Sequence, residues 1–421
     1  MSVAAFFVSF LTGLYGLRLI NRTRLVWLEY FLAVGLGVGI SAQVVFYSLV
    51  LAGRFNPVLI ILAHLFILIG LYSTDRFVNI NRKEHMLFSR PSIVLFLAVF
   101  ALFIFLMIVF ALARPYGDWD GWALWNFRAN FIYRAGGRWW DILGFNLHGH
   151  PPWFLPLFTL WGWAWAGKED VMVPILTSIL GTFLTIGTLV YGLSYRVKSW
   201  KALFGGVYLC SIPYFLDHAT SQYADIWVAY YVLAVVVSLQ RGLFFLSGIL
   251  GGLLCLSKNE GMILTPILLG MSFIFLQDAR RHWRAILAGV FCVLPAVVIP
   301  QMLMTGDLPG INQTNMVYLL DVKRWQWFMD FIVRHVVLSP HWGGLWIIAP
   351  VMLLVFRGYW DNHIKVYLCT LMMFFIIFMA LYVVVVYDFY WRISVSWDRL
   401  MFQITPWVVY MMFSCWRNKE E

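Results

Sequence analysis

Six ionisable side chains stand at the breaks between apolar stretches of this sequence, where a charge is costly enough to be a functional hypothesis by default. Asp118 and Asp120 form a D-x-D pair in Arg114-Pro115-Tyr116-Gly117-Asp118-Trp119-Asp120-Gly121-Trp122. Asp225 closes Tyr223-Ala224-Asp225, and Lys258 and Glu260 share the turn Ser257-Lys258-Asn259-Glu260-Gly261. Arg399 follows Trp397-Asp398, with Pro406 beyond it. Carboxylates so placed are candidates for proton transfer or for binding a divalent metal, and the two cations are candidates for holding a phosphate. A turn-rich stretch, Asn146-Leu147-His148-Gly149-His150-Pro151-Pro152, adds two histidines in an H-x-H spacing that also suits a metal. Each group has a plainer reading: a carboxylate favourable to a helix N-terminus, a Lys258–Glu260 pair at the surface, an arginine anchored among headgroups, histidines in a solvated turn. Their shared position just outside the membrane is what favours chemistry. A carboxylate there meets phosphate on a lipid carrier, and that pairing points to transfer from a lipid-linked phosphate donor.

The elements that must position these groups are apolar helices. Of 421 residues 62% are apolar and 12% charged, against about 25% charged in soluble proteins. The expected class is therefore an all-α polytopic membrane protein. Apolar runs give about thirteen candidate spans, near 3–17, 25–52, 57–74, 91–113, 171–195, 202–216, 222–240, 242–257, 260–277, 285–304, 342–357, 363–386 and 398–416. The first run lacks a basic leader and a cleavage site, and reads as a retained span. The stretch 152–166 is apolar but short, with Pro156 and Gly162 inside it.

Charge arbitrates that last case. With 152–166 not spanning, one side of the membrane receives 18 of the 30 basic residues and 7 of the 20 acidic ones. Every short connection on that side then carries Lys or Arg, as cytoplasmic loops do. The net charge of +10 thus reports orientation and requires no nucleic-acid partner. Two long external segments result, 114–170 and 305–341. Within the first, residues 122–135 read as an interfacial helix with Asn126, Asn130 and Arg134 in a polar stripe beneath a cavity. The five cysteines lie in or at the end of apolar segments without a zinc or disulfide spacing.

Taken in order, Asp118-Trp119-Asp120, His150-Pro151-Pro152 with its non-spanning helix, Tyr223-Ala224-Asp225, Ser257-Lys258-Asn259-Glu260-Gly261 and Arg399…Pro406 resemble the GT-C glycosyltransferases. These are integral-membrane enzymes that include the protein O-mannosyltransferase and aminoarabinose-transferase groups. The resemblance covers 91–300 best. It implies one transmembrane domain over 1–421, with an extra three-helix segment at 1–90, a catalytic core at 91–300 and C-terminal helices over 301–421. It further implies a polyprenyl-phosphate sugar donor, a glycan, lipid or protein acceptor, and an active site on the external face; the short loops and lack of appended domains give the expectation of a bacterial inner membrane. Asp120 best matches the family's loop carboxylate, with Asp118 as the alternative. That carboxylate would deprotonate the acceptor hydroxyl as it attacks the anomeric carbon with inversion. Lys258 would hold the donor phosphate with help from Arg399, while Asp225, Glu260 and His150 would serve substrate binding. His150 departs from the Lys of several relatives, and branches of the family differ in whether they use a divalent metal. Two rival classes are a secondary transporter or lipid-linked-sugar flippase, and an assembly subunit without catalysis. Against the transporter, the ionisable groups gather at helix ends, whereas transport sites lie near the midplane.

Overall fold

The computed structural model describes residues 2–21, 27–75, 90–145, 152–303, 314–386 and 389–416. Among these the chain is helical and has no strand, only an isolated bridge between Thr314 and Val385. Four helices lead: α1 (Ser2–Ile20), α2 (Trp27–Ala52), α3 (Pro57–Asp75) and α4 (Arg90–Ala113). Two short ones follow, α5 (Phe127–Arg134) and α6 (Phe154–Ala166). The middle of the chain holds α7 (Met172–Ser194), α8 (Ser199–Ser211), α9 (Pro213–His218), α10 (Asp225–Gln240), α11 (Phe244–Ser257) and α12 (Asn259–Phe275). Then come α13 (Gln277–Arg281), α14 (Trp283–Phe291), α15 (Leu294–Leu303), α16 (Val322–Phe331), α17 (Leu345–Val355), α18 (Asn362–Val383) and α19 (Phe389–Cys415).

Six of these helices are long and apolar enough to cross a membrane: α1, α2, α3, α4, α7 and α18. The bent pair α14 and α15, turned by 49° at its break, makes a seventh if it counts as one span. The thirteen expected spans are thus met only in part. Helices α10, α11, α12 and α17 have 16, 14, 17 and 11 residues. At ~1.5 Å per residue none reaches the ~30 Å of a bilayer core. The stretch 202–216 breaks at Ile212, because Pro213 starts a new helix. Pro295 likewise sits in the first turn of α15, just past the bend. The last helix starts at Phe389, well before the expected boundary at 398, and carries Arg392, Asp398 and Arg399 within it.

Helix α10 is the axis of the bundle. Every residue from Asp225 to Leu239 is buried, and it packs against α7, α11 and α19. Helix α6 is also enclosed, buried from Phe154 to Ala164 between α1, α2, α3 and α7. Its Trp161 indole donates to Ala5 O (3.1 Å) and Ser9 Oγ (2.9 Å) of α1 and stacks on His64 of α3, centroids 4.2 Å apart. His64 in turn meets Thr12 Oγ1 through Nε2 at 2.8 Å. Charge and amide contacts tie the helix ends into two sets. One holds Ser2 on Asp170 (2.6 Å) and the junction of residues 114–121 with 217–225. The other holds Arg18 on Asp75 (2.9 Å), Arg196 on Asp361, Lys201 on Trp416 O and Tyr410 on Gln240.

Candidate functional site

The first wall of the site is a loop docked on another loop. Helix α4 ends at Ala113, and Arg114 forks onto Asp118, its Nη1 2.9 and 2.8 Å from the two carboxylate oxygens. The second guanidinium nitrogen reaches Asp217 Oδ1 at 3.0 Å. Burial disfavours the charge of Arg114, but the two aspartates outweigh it and hold the guanidinium above its ordinary pKa. Gly117 has φ +75, a region that L side chains avoid, and a Cβ there would stand 2.4 Å from Ser221 O. Glycine thus lets the loop press against 221–222, where Asp118 N donates to Ser221 O at 3.1 Å. A π-helical turn, Gly121–Asn126, leads into α5 in place of the regular helix expected from 122.

The second wall is formed by three helix ends. Asp225 opens α10 with no exposed side-chain surface. Between α11 and α12, Lys258 adopts an extended backbone (φ −164, ψ 159) that separates the two helices. Gly261 keeps that turn tight, since a Cβ there would lie 2.0 Å from Leu254 O. Lys258 Nζ sits 2.9 Å from Asp225 Oδ1 and 2.8 Å from Glu260 Oε1. From α19, Arg399 Nη2 donates to Asp225 Oδ2 at 2.8 Å, and Gln403 Nε2, one turn on, donates to Asp225 Oδ1 at 2.6 Å.

Arg399 joins the walls. Its Nη1 lies 2.5 Å from Asp120 Oδ2, and its Cζ lies over the Tyr223 ring, 4.5 Å from the centroid. The Tyr223 hydroxyl accepts from Asp120 N at 3.3 Å, and burial pushes its phenol up to about 12. Arg399 meets the first residue of α10, so the turns of α19 before it stand beyond that helix end. Phe328 of α16 packs edge-on against Trp397 (4.8 Å), and Arg324 lies over Phe389 (4.7 Å), bracing this projecting part.

Five of the residues expected at the site therefore converge: Asp120, Asp225, Lys258, Glu260 and Arg399. Asp118 does not join them, since Arg114, which also holds Asp217, engages it on the other side of the loop. The D-x-D pair is split between two arginines. His148 and His150 lie outside the described residues. Sequence reasoning did not single out Gln403 or Arg114 for the site. Both were signalled by spacing, four residues from Arg399 and from Asp118 respectively. Gln222, buried and the one non-glycine residue with positive φ (60) among those described, had no sequence signal.

The cluster sets two cations among three carboxylates. It is suited to accept an anion by exchanging carboxylate partners for it, and to free a carboxylate as it does so. Among the described residues no group of three or more His, Cys, Asp or Glu side chains converges as a metal site. Comparison with protein families, with curated proteins and with solved structures found no match to this chain. The chemistry of the site rests on its own residues.

Proposed function

We propose that this chain is a membrane glycosyltransferase that moves a sugar from a polyprenyl-phosphate donor to an acceptor hydroxyl on the external face. One observation carries the reading: Arg399 bridges the loop carboxylate Asp120 to the buried Asp225, whose other oxygen binds Lys258. A phosphate entering between Arg399 and Lys258 competes with Asp120 and Glu260 for the same donors. Phosphate and guanidinium match in bidentate geometry, so donor binding draws Arg399 from Asp120. Asp225, held also by Gln403, keeps both cations in place.

The freed Asp120 then takes the proton of the acceptor hydroxyl. That oxygen attacks the anomeric carbon from the face opposite the phosphate. The bond from carbon to phosphate oxygen breaks as the new one forms, so configuration inverts and polyprenyl phosphate leaves with the electron pair, stabilised by Lys258 and Arg399. Asp118, already engaged by Arg114, holds the loop in this scheme.

The test gives purified protein a set of polyprenyl-phosphate sugars and candidate acceptors, with Asp120→Asn in parallel. General-base removal is expected to slow transfer by about 10²–10⁴-fold. Equal transfer by wild type and variant removes Asp120 from the mechanism. No transfer from any lipid donor, with substrate flux in liposomes, makes the chain a transporter.

A further inference from the structure

The polar stripe of α5 faces a cavity that the ion-pair cluster does not use. Asn126, Asn130 and Arg134 line about 240 Å³ of space, closed by Gln222, Glu169 and Trp163. On the far side of Asn130 and Arg134, which line both, a second cavity of about 410 Å³ continues beside Phe131, Arg138 and Asp141. The two adjoin at these shared residues and together are called the α5 cleft.

Its charges are already matched within the protein. Arg134 forks onto Glu169 at 2.5 Å through both Nε and Nη2, and Arg138 lies 3.9 Å from Asp141. In the first cavity a phosphate thus finds no free arginine, and a metal ion no free carboxylate. What remains is amides and rings. Gln222 Oε1 accepts from Asn126 Nδ2 at 2.8 Å, and Gln222 Nε2 donates to Pro115 O at 3.0 Å. Gln222 holds this place in a left-handed backbone conformation that a non-glycine residue adopts only at a cost and that clusters at ligand sites. The Asn130 side chain makes no hydrogen bond within the described protein, so its amide donors and acceptor face the cavities it lines. Tyr116, largely exposed, adds aromatic surface to the first cavity, and Phe127 and Phe131 line the second.

Neutral amides in a row, aromatic faces and self-paired charges recognise a neutral molecule with many hydroxyls and apolar ring faces. The position is equally specific. Gln222 precedes Tyr223, whose hydroxyl meets Asp120 N, so the cleft and the ion-pair cluster share a wall. We infer that the α5 cleft binds a neutral oligosaccharide of at least two units, one per cavity, and presents its end to Asp120. The cleft's role as acceptor site rests on the transferase reading, whereas sugar binding itself does not.

The experiment measures binding without any lipid donor. Full-length protein in nanodiscs is offered maltotriose, cellotriose, mannotriose, chitotriose and the tripeptide Ala-Ser-Ala, each followed by saturation-transfer NMR. At least one trisaccharide is expected to bind, and Asn130→Ala to weaken it about tenfold through the loss of its hydrogen bonds. Tyr116→Ala, which removes an exposed ring from the first cavity, is the second variant, and it should weaken the same ligand. Binding of no trisaccharide, binding of the tripeptide alone, or equal affinity in both variants overturns the proposal. Variant-sensitive sugar binding with no transfer from any polyprenyl-phosphate donor refutes the transferase reading alone. Transfer to a non-glycan acceptor with no trisaccharide bound refutes the cleft alone.

Discussion

Asp225→Asn tests the cluster independently of any activity. The Asp225 carboxylate accepts from Lys258 (2.9 Å) and Gln403 (2.6 Å) on one oxygen and from Arg399 (2.8 and 3.3 Å) on the other. An amide there removes the charge and turns an NH₂ toward donors, whichever way it is flipped. Hydrogen bonds to a charged group are worth about 1.5–3 kcal/mol and neutral ones about 0.5–1.5. Losing about 1 kcal/mol at each of three partners gives ~3 kcal/mol. Breaking a buried ion pair gives about 3–5 by direct comparison, so the two routes agree near the lower figure. Equilibrium unfolding in mixed micelles of rising denaturing-detergent content reads this as a shift in midpoint. The double variant Asp225→Asn/Lys258→Met should cost less than the two single changes together, by at least about 1 kcal/mol, since it removes a cation left uncompensated. If Asp225→Asn stays within about 0.5 kcal/mol of wild type, the range of an indifferent surface change, the carboxylate does not organise the cluster.

Two further expectations follow from the loops. Gly117→Ala forces an L side chain into left-handed space against Ser221 O, so it should cost at least about 2 kcal/mol and open residues 114–121 to proteolysis. Gly144→Ala, with nothing near its Cβ, serves as the neutral control, and equal protection in the two variants refutes the docking argument. At the other set of helix ends, burial raises the Asp361 carboxyl, but Arg196 beside it and the Ile364 amide outweigh this and leave its pKa lowered. Its contribution to stability is therefore complete above the ordinary carboxylate value of about 4 and fades as the pH falls through the lowered one. Asp361→Asn should be less stable at pH 7 and flatter between about pH 4 and 2. Parallel acid slopes for the two proteins would exclude this role.

Helical class was legible in the sequence because apolar composition and helix-length runs leave little else for a chain of this kind. Contacts within one helix were legible too, for the same-face rule places Asn130 beside Asn126 and Arg134, as the cleft shows. Span count was less so. The breaks near Asp225 and Lys258 bound runs expected over 222–240, 242–257 and 260–277, yet the helices α10, α11 and α12 formed there have only 16, 14 and 17 residues, short of bilayer length. The sequence also placed Asp118 and Asp120 together as one pair, while the loop turns them to different arginines. That division depends on Arg399, which is 279 residues from Asp120 in the chain, and no local pattern reports so distant a partner. Gln222 was illegible for another reason: its conformation is imposed by tertiary contact against its own preference.

The enclosure of α6 also sets a schedule. Trp161 finds its partners on α1, 152 residues earlier in the chain. At about 5–20 residues per second of synthesis, Ser9 and its neighbours must wait roughly 8–30 s for the indole that caps them. During that interval the first three helices hold an open slot lined by serine, threonine and histidine hydroxyl and ring groups. The order of manufacture thus makes these helices a mould for a later segment, and assembly becomes vulnerable wherever translation pauses between α3 and α6.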